Sequence, residues 1–382
     1  AGLRQAAASV QAHRRLDAVE DGRGDAAGHN AEGGGRLGIP LKRIWLSRNP
    51  KLVSGSPTAL QDLMNGLAAS AFVLEELRLH ETGLAGPEHV AVLAKMLPNL
   101  PTLKFLSLYN NQELFSGSDA AGMGAFMNGL GECSSLEDLR LFDTGLAGAA
   151  SVTTLGRALR KLSKLRVLML YDNPKLFSES DAMGIRTFMD GLGECTSLKD
   201  LWLHNSGLWG ASGALAMTLP KLSKLWKLTL YDNPNFVAEG DIESSRTLLE
   251  SLGSCPAMEE MLLNNSGLCG ASEAMSNTLL KLPKLRKLML HNNPELFAGD
   301  IEGCRVLMEN LVACPSVEEL VLSNAGFCGG QGVGEAVSAA LPKLSNLRRF
   351  RLDANASLDD TAKNLITEAI DARGGGEDFN IR

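Results

Sequence analysis

The sequence predicts an α/β solenoid, a horseshoe with a parallel sheet on its concave side and helices on its convex side. The first observation is the spacing of Leu165, Leu168 and Leu170, which is typical of a short strand with one buried face. The second is recurrence, since this pattern occurs eleven times between residues 41 and 358. The third is the separation of successive copies, alternately about 33 and about 28 residues, which leaves room for a helix in each unit.

Each unit begins with a strand, and the residue at its ninth place shapes the turn that follows. The spacing L-x-x-L-x-L-x-x-N is the leucine-rich repeat signature. In six units the ninth place is Asn, whose side chain can bond turn backbone, so we expect a structural ladder along the solenoid. These residues are Asn49, Asn111, Asn173, Asn233, Asn293 and Asn355. The other five units carry Thr82, Thr144, Ser206, Ser266 and Ala325 there.

The helices of the Asn units are predicted to begin at aligned small and acidic residues. Ser or Gly as the N-cap, followed by Pro or Asp, satisfies free N–H groups and matches the helix dipole. The row of aspartates is therefore predicted to cap helices rather than to catalyse a reaction. The aligned pairs are Ser56-Pro57, Ser118-Asp119, Ser180-Asp181, Gly240-Asp241 and Gly299-Asp300.

The two ends of the chain differ from the repeats. Residues 1–38 are rich in Ala, Arg and Gly and are predicted to be a flexible extension, either an arm or a transit-peptide remnant. The repeat domain is predicted over residues 39–358. Residues 359–373 have helical spacing at Leu365, Ile366 and Ile370 and are expected to cap the open end of the solenoid. Residues 374–382 are expected to form a mobile tail.

Composition limits the classes of partner. The formal net charge of −7 argues against a general nucleic-acid binder, which needs a basic surface to displace counterions from phosphates. No apolar run reaches the eighteen or so residues that a membrane span requires. A soluble protein without a membrane span or nucleic-acid partner is therefore predicted.

The cysteines indicate a reducing compartment. Four of the seven stand at one repeat position, and Ala71 fills that position in the earliest copy, so a small buried side chain is needed there rather than a disulfide or a metal ligand. The four are Cys133, Cys195, Cys255 and Cys314. An intracellular location is predicted, with cytoplasm, plastid and mitochondrion left open.

Places three, five and seven of each unit should face the concave side, because places four and six point into the core. Places five and seven collect aromatic, Arg, Met and His residues, which are types enriched in interface cores. We therefore predict a protein-binding concave face, with lateral pairing of these side chains along the sheet as the alternative. The candidate residues are Trp45, Arg78, His80, Tyr109, Arg140, Phe142, Met169, Tyr171, Trp202, His204, Tyr231, Met289 and His291.

Place three carries charges of alternating sign in most units. Acids fill it in the five Thr, Ser or Ala units and bases fill it in four of the six Asn units, so adjacent strands should form lateral ion pairs. The exceptions are Phe105 and Val167. They predict an uncharged apolar centre with a charged rim.

No motif in the sequence supports an enzyme, a cofactor site or a metal site. H-E-x-x-H, Walker and G-x-S-x-G patterns are absent, and Gly330-Gln-Gly332-Val-Gly334 falls short of a dinucleotide fingerprint. His80, His204 and His291 should stand three or four strands apart, too far to share a metal. They are expected to make binding sensitive to pH.

The alternation of two repeat types over residues 41 to about 358 resembles the ribonuclease-inhibitor class of leucine-rich repeat proteins. That class includes enzyme inhibitors, sensor regions of NOD-like receptors and Ran GTPase-activating proteins. It usually has Cys at the ninth place where this chain has Thr82, Thr144, Ser206, Ser266 and Ala325. The replacement keeps a small residue and indicates a distant branch.

These observations together predict a non-catalytic protein-protein interaction module that binds a protein partner through its concave face. A structural or accessory subunit of a large, organellar assembly is the first alternative, based on the Arg/Ala-rich N-terminal segment. The resemblance adds a Ran-type GTPase-activating protein as a weaker alternative.

Overall fold

The computed structural model describes residues 41–54, 56–67, 73–374 and 378–381. Over these ranges twelve strands form one parallel sheet in sequence order, and eleven helices alternate with them. The predicted α/β leucine-rich repeat horseshoe is thereby confirmed. The predicted N-terminal extension, residues 1–38, and Ala71 lie outside the described residues.

The strands are short and the helices longer. The strands are β1 (Arg43–Trp45), β2 (Glu76–Arg78), β3 (Phe105–Ser107), β4 (Asp138–Arg140), β5 (Val167–Met169), β6 (Asp200–Trp202), β7 (Lys227–Thr229), β8 (Glu260–Leu262), β9 (Lys287–Met289), β10 (Glu319–Val321), β11 (Arg349–Arg351) and β12 (Phe379–Asn380). The helices are α1 (Pro57–Leu67), α2 (Gly86–Met96), α3 (Ala120–Gly131), α4 (Gly148–Leu159), α5 (Ala182–Leu192), α6 (Ser212–Thr218), α7 (Ile242–Leu252), α8 (Ser272–Leu279), α9 (Ile301–Leu311), α10 (Gln331–Ala340) and α11 (Asp360–Ala372). Single 3-10 turns follow α2, α6 and α10.

The strands pair in register, so equivalent places of the repeat form continuous rows. Leu139 of β4 lies opposite Leu168 of β5, and Leu168 lies opposite Leu201 of β6. All three leucines are fully buried, because the fourth place of each strand points toward the helices. The third, fifth and seventh places therefore form three rows on the concave side.

The repeated cysteines lie in the core between neighbouring units. Cys133 and Cys195 have no exposed surface, and their thiols donate to the carbonyls of Leu97 and Leu159 at 3.3 and 3.5 Å. Burial raises the pKa of the Cys195 thiol to about 12. The group is therefore protonated and unreactive at neutral pH.

The ninth-place asparagines join neighbouring repeats. Asn173 donates through Nδ2 to the carbonyls of Leu141 and Leu170, both at 2.9 Å. Its Oδ1 accepts the backbone N–H groups of Thr144 and Leu146, both at 3.1 Å. Equivalent bonds occur at Asn111, Asn233, Asn293 and Asn355.

The helix caps lie one residue later than the sequence pattern suggests. Asp119 and Asp181 are themselves the N-caps of α3 and α5, and each accepts a backbone N–H at 2.7 Å. Carboxylates at these positions are stabilising because they face the positive end of the helix dipole. Ser56, by contrast, receives the N–H of Ala59 at 3.2 Å, as predicted for α1.

The C-terminal end is more ordered than a mobile tail. Helix α11 packs Ile366 and Ile370 against the last repeat, and Phe379 and Asn380 then pair with β11 as a twelfth strand. Ile381 is 8% exposed. The prediction of a mobile tail is therefore wrong for residues 378–381, because apolar Phe379 and Ile381 extend the core. No helix within the described part of the chain has both the length and the apolar character to cross a bilayer.

Candidate protein-binding face

The seventh-place side chains form a continuous stack of rings along the concave sheet. Neighbouring ring centroids are 4.1 to 4.2 Å apart and their planes differ by 10 to 16°. Parallel strands in register stand about 4.8 Å apart, so rings from successive strands come into face-to-face contact. This ring stack consists of His80, Tyr109, Phe142, Tyr171, His204 and Tyr231.

The ring stack buries its own histidines. His80 and His204 are 7% and 6% exposed, and the remaining four rings are half-buried. Loss of hydration lowers the pKa of both imidazoles to about 4. Burial also raises the pKa of Tyr171 to about 12. His80 and His204 are therefore uncharged between pH 5 and pH 8, and the expected sensitivity of binding to physiological pH has no support in these two histidines.

A second row, at places three and five, alternates cations with aromatic rings. The guanidinium of Arg78 lies 4.7 Å from the ring centroids of both Trp45 and Phe105. Arg140 lies 4.9 Å from Phe105 on its other side, and both nitrogens of its fork bond Asp138 at 2.9 Å. The expectation of an uncharged centre is therefore wrong around Phe105, since this ring attracts two cations. We call Trp45, Arg78, Phe105 and Arg140 the cation–π row.

At the centre of the concave face the fifth places of β5 and β6 are apolar. Met169 lies opposite Trp202 in the register of these strands, and both are half-buried. The ammonium of Lys227 stands 4.4 Å from the Trp202 ring centroid and 2.6 Å from Glu260. The indole Nε1 of Trp202 is buried, with no hydrogen-bond partner among the described residues. Trp202 thus combines a half-buried apolar ring with a donor that no described residue satisfies.

Asp200 is the most perturbed acid of this face. It lies between Val167 and Lys227 in the register of the sheet. Burial raises its pKa to about 6, although Lys227 opposes that change. Lys227 pairs with Glu260 at 2.6 Å, and among the described residues no ion pair joins it to Asp200. The Asp200 carboxyl therefore takes up a proton in mildly acidic solution.

The last strands carry the lateral ion pairs that the sequence predicts. Glu319 receives Lys287 at 3.1 Å and Arg349 at 3.2 Å from the strands on either side. Asp378, which precedes β12, accepts from Arg349 and Arg351 at 3.3 and 3.1 Å. These groups are partly exposed, so each pair contributes little to stability.

Eleven of the thirteen candidate binding residues fall into three groups, and two stand apart. Six of them form the ring stack. Trp45, Arg78 and Arg140 lie in the cation–π row, and Met169 and Trp202 occupy the centre. Met289 and His291 stand apart: Met289 packs between Leu262 and Val321 of the neighbouring strands, and burial lowers the pKa of His291.

The eighth place of each repeat also contributes to the concave face, although the leucine spacing does not indicate it. All eleven residues at this place have positive φ, between 46 and 61°. Eight of the eleven are Asn or Asp, the types that tolerate a left-handed backbone, and this composition was the available signal. Their side chains bond across units, as Asn205 does to Asp172 at 2.8 Å. This polar row forms the edge of the concave face beside the ring stack.

The described residues contain no group of three His, Cys, Asp or Glu side chains that converges on a metal position. His80, His204 and His291 follow β2, β6 and β9, and the sheet order keeps them apart. The face therefore offers stacked rings, cations and hydrogen-bonding groups.

One comparison with known proteins bears on the repeats. The chain is 30% identical over 113 residues to Protein NLRC5 of Mus musculus, a segment that covers 30% of this chain and 5% of that protein. The chain therefore spans only a small part of the length of this relative. No family model matches the chain. The similarity agrees with the leucine-rich repeat solenoid that the sheet displays.

Proposed function

We propose that this chain is a non-catalytic module that binds a protein partner through its concave face. The observation that carries the proposal is the half-buried centre around Met169 and Trp202, flanked by the ring stack and the cation–π row. Aromatic, Met and Arg side chains on one concave surface are the composition of interface cores. The scaffold places them on rigid strands, so little conformational entropy is lost when a partner is bound.

The contacts between neighbouring side chains indicate which residues of the concave face would touch the partner. His80 and His204 expose little surface, so their role is to hold the neighbouring tyrosine rings in place. Met169, Trp202 and the exposed edges of Tyr171 and Tyr231 would supply the apolar contact. Arg78 and Arg140, on the strands that precede Met169, would border it with cations that rings and carboxylates already orient.

We further propose that the repeats belong to the ribonuclease-inhibitor type. The support is the alternation of about 33 and about 28 residues and the alternation of Asn with Thr, Ser or Ala at the ninth place. A reducing compartment is proposed as well. It is supported by the thiol hydrogen bonds of Cys133 and Cys195, which need the reduced form.

The test is capture of a partner from cell extract by the full chain and two variants. Met169→Glu places a charge at the centre without removing a ring from the stack, so it should abolish capture while the thermal midpoint stays close to that of the natural protein. Lys281→Ala with Lys284→Ala changes exposed charges at the end of α8 and should leave capture intact. Capture that survives Met169→Glu and fails in the lysine variant would refute the concave face as the binding surface.

A further inference from the structure

The helical side of the solenoid carries an exposed tryptophan that departs from the repeat pattern. Trp209 is 58% exposed and lies just before α6. The equivalent positions in the other units hold smaller residues: Ala85, Ala147, Cys269 and Cys328. Both cysteines are buried, and an indole is too large for the space that holds a thiol. The Trp209 side chain therefore lies outside the core.

Two exposed methionines lie on the helices on either side of Trp209 in the sequence. Met217 on α6 is 74% exposed, and Met183 on α5 is 70% exposed. The positions equivalent to Met217 carry Lys95, Arg157, Asn277 and Ala339. Two of the repeats thus place a charged group where this repeat exposes a large apolar one. Exposed apolar side chains that cluster on one surface are typical of an interaction site.

A groove of about 390 Å³ opens between α5 and α6 beside these residues. Its apolar walls include Ile185, Met189, Trp209 and Met217. We call it the α5–α6 groove. It is independent of the concave face, because its lining residues come from α5, α6, the turn that precedes α6 and the 3-10 turn that follows it.

A small residue at the start of α5 leaves space in the groove, as Ala120 does at the start of α3; the α5–α6 groove differs because Trp209 and Met217 border that space. In α7 and α9 the residue after the N-cap is Ile242 or Ile301, and these side chains cover Gly270 and Gly329 of the next unit. A Cβ atom on Gly270 would approach Ile242 to 2.8 Å, and one on Gly329 would approach Ile301 to 3.1 Å. In α5 the same position is Ala182, and a Cβ atom on Gly210 would meet nothing within 4 Å. The missing isoleucine leaves the space empty.

The groove also contains an arginine without its usual partner. In α7, Arg246 pairs with Glu243 at 2.7 Å, and in α9, Arg305 pairs with Glu302. The equivalent arginine in α5 is Arg186, but Met183 replaces the glutamate. Over the residues that the structure describes, neither Arg186 nor the neighbouring Lys221 has an ion-pair partner. The carboxylate of the groove, Asp190, already faces Arg160 at 3.8 Å.

We propose that the α5–α6 groove binds a segment of a partner protein in which a large apolar side chain stands beside an acidic one. The apolar side chain would fill the space that Ala182 leaves open, against Trp209 and Met217. The carboxylate would take the place of the glutamate that Met183 replaces and would pair with Arg186 and Lys221. Charge complementarity therefore selects an acidic, apolar segment.

The same charges disfavour the chain's own N-terminal segment as the occupant. Residues 1–16 contain Arg4, Arg14 and Arg15 and no acid, so their sign matches that of the groove cations. A second copy of the chain would have to present an acidic, apolar segment of its own surface. The experiment below tests the N-terminal segment and a second copy of the chain as alternative occupants.

The probe is a library of random peptides displayed on phage and selected on the full chain. The Ala182→Ile variant is used to fill the groove. It should fold normally, since the fold already holds isoleucine at this position in α7 and α9. We expect selected peptides to combine an aromatic or aliphatic residue with Asp or Glu. In fluorescence anisotropy titrations of the best peptide, Ala182→Ile and Arg186→Glu should each weaken binding about tenfold or more, the loss typical of a central contact.

Three further measurements complete the test. Met169→Glu should bind the selected peptide as the natural protein does, so failure here and failure of the concave-face proposal are distinguishable. Peptides of basic character, or binding unaffected by Ala182→Ile, would overturn the assignment. Displacement of the selected peptide by a synthetic peptide of residues 1–16 would also overturn the assignment, because the groove would then bind the chain's own N-terminal segment. A dimer in sedimentation velocity that Ala182→Ile dissociates would overturn it as well, because the groove would then bind a second copy of the chain.

Discussion

The imidazole of His204 lies face to face with the phenol of Tyr171, with 4.2 Å between their centroids and 16° between their planes. Phe142 lies against the opposite face of Tyr171 at 4.1 Å. Each internal ring of the stack therefore contacts two others. The rings contribute to the stability of the sheet as well as to the surface that a partner would meet.

The ring stack makes Tyr171 a stability position. Tyr171→Ala removes two stacked contacts, each worth about 0.5–1.5 kcal/mol, so the free energy of unfolding should fall by about 1–3 kcal/mol. Tyr171→Phe keeps the ring and should change it by less than about 0.5 kcal/mol. Chemical denaturation of both variants measures the difference. Equal midpoints for the alanine and phenylalanine variants would mean that the stacked rings contribute nothing.

The buried histidines predict a loss of stability in acid. The pKa of His204 falls from 6.5 to about 4 on folding, so the unfolded chain binds more protons between these values. Its contribution is fully present above pH 6.5 and is lost as the pH falls toward 4. His204→Phe keeps a ring that cannot titrate, and thermal midpoints measured from pH 7 to pH 4.5 should fall less steeply than in the natural protein. A slope unchanged by this substitution would contradict the assignment.

The effect of Asp200 on the pH dependence of stability is predicted to be opposite in sign to that of His204. Its pKa rises from 3.8 to about 6 on folding, so the folded chain binds the proton first and gains stability as the pH falls through this range. Asp200→Asn removes that gain. The thermal midpoint of Asp200→Asn should therefore decrease more steeply on acidification than that of the natural protein, over the same series of pH values. A shallower decrease would show that Asp200 is ionised in the folded chain.

The asparagine ladder predicts that an internal asparagine contributes more to the free energy of unfolding than a terminal one. Asn173→Ala leaves buried turn groups of two units unpaired, at about 1–3 kcal/mol for each group. Among the described residues Asn49 bonds only its own turn, to Leu46 and Ser47 at 2.8 and 3.0 Å, and is partly exposed. Asn49→Ala should therefore cost clearly less in urea denaturation. Similar losses for the two variants would show that the bonds between units add no stability.

The unsatisfied indole predicts that Trp202 tolerates phenylalanine. A buried donor without a partner costs about 1–3 kcal/mol, and Trp202→Phe removes that cost while keeping a ring beneath Lys227. The denaturation midpoint of Trp202→Phe should equal or exceed that of the natural protein. Trp202→Ala should lower it, because the apolar contact is lost. If phenylalanine is as harmful as alanine, the indole N–H is satisfied in solution.

The sequence predicts the repeats well because strand spacing and turn residues are local properties. Leu168, Leu170 and Asn173 have their roles fixed by positions within one unit. The position of Phe105 between Arg78 and Arg140 depends on which side chains three strands bring together, and a list of places does not give ring orientation. The groove depends on a difference in size between Ala182 and its isoleucine equivalents. Such an effect becomes visible only when the packing of the next unit is known.

The end of the chain illustrates the same limit. The segment 378–381 is short and comes after a run of three glycines, and a short segment in such a position is typically mobile. They are held by pairing with β11 and by the ion pairs of Asp378 with Arg349 and Arg351 at 3.3 and 3.1 Å. These partners are distant in sequence. Local composition therefore predicts the wrong state.

The ring stack has a spectroscopic consequence. All three tyrosines of the chain, Tyr109, Tyr171 and Tyr231, belong to it. The tyrosine bands of the near-ultraviolet circular dichroism spectrum consequently originate from the concave sheet and from no other part of the protein. Because Tyr171 lies 5.9 Å from Trp202, its excitation energy passes to that indole and its own emission is quenched in the folded state. The appearance of tyrosine fluorescence would report separation of the strands directly, without an added label.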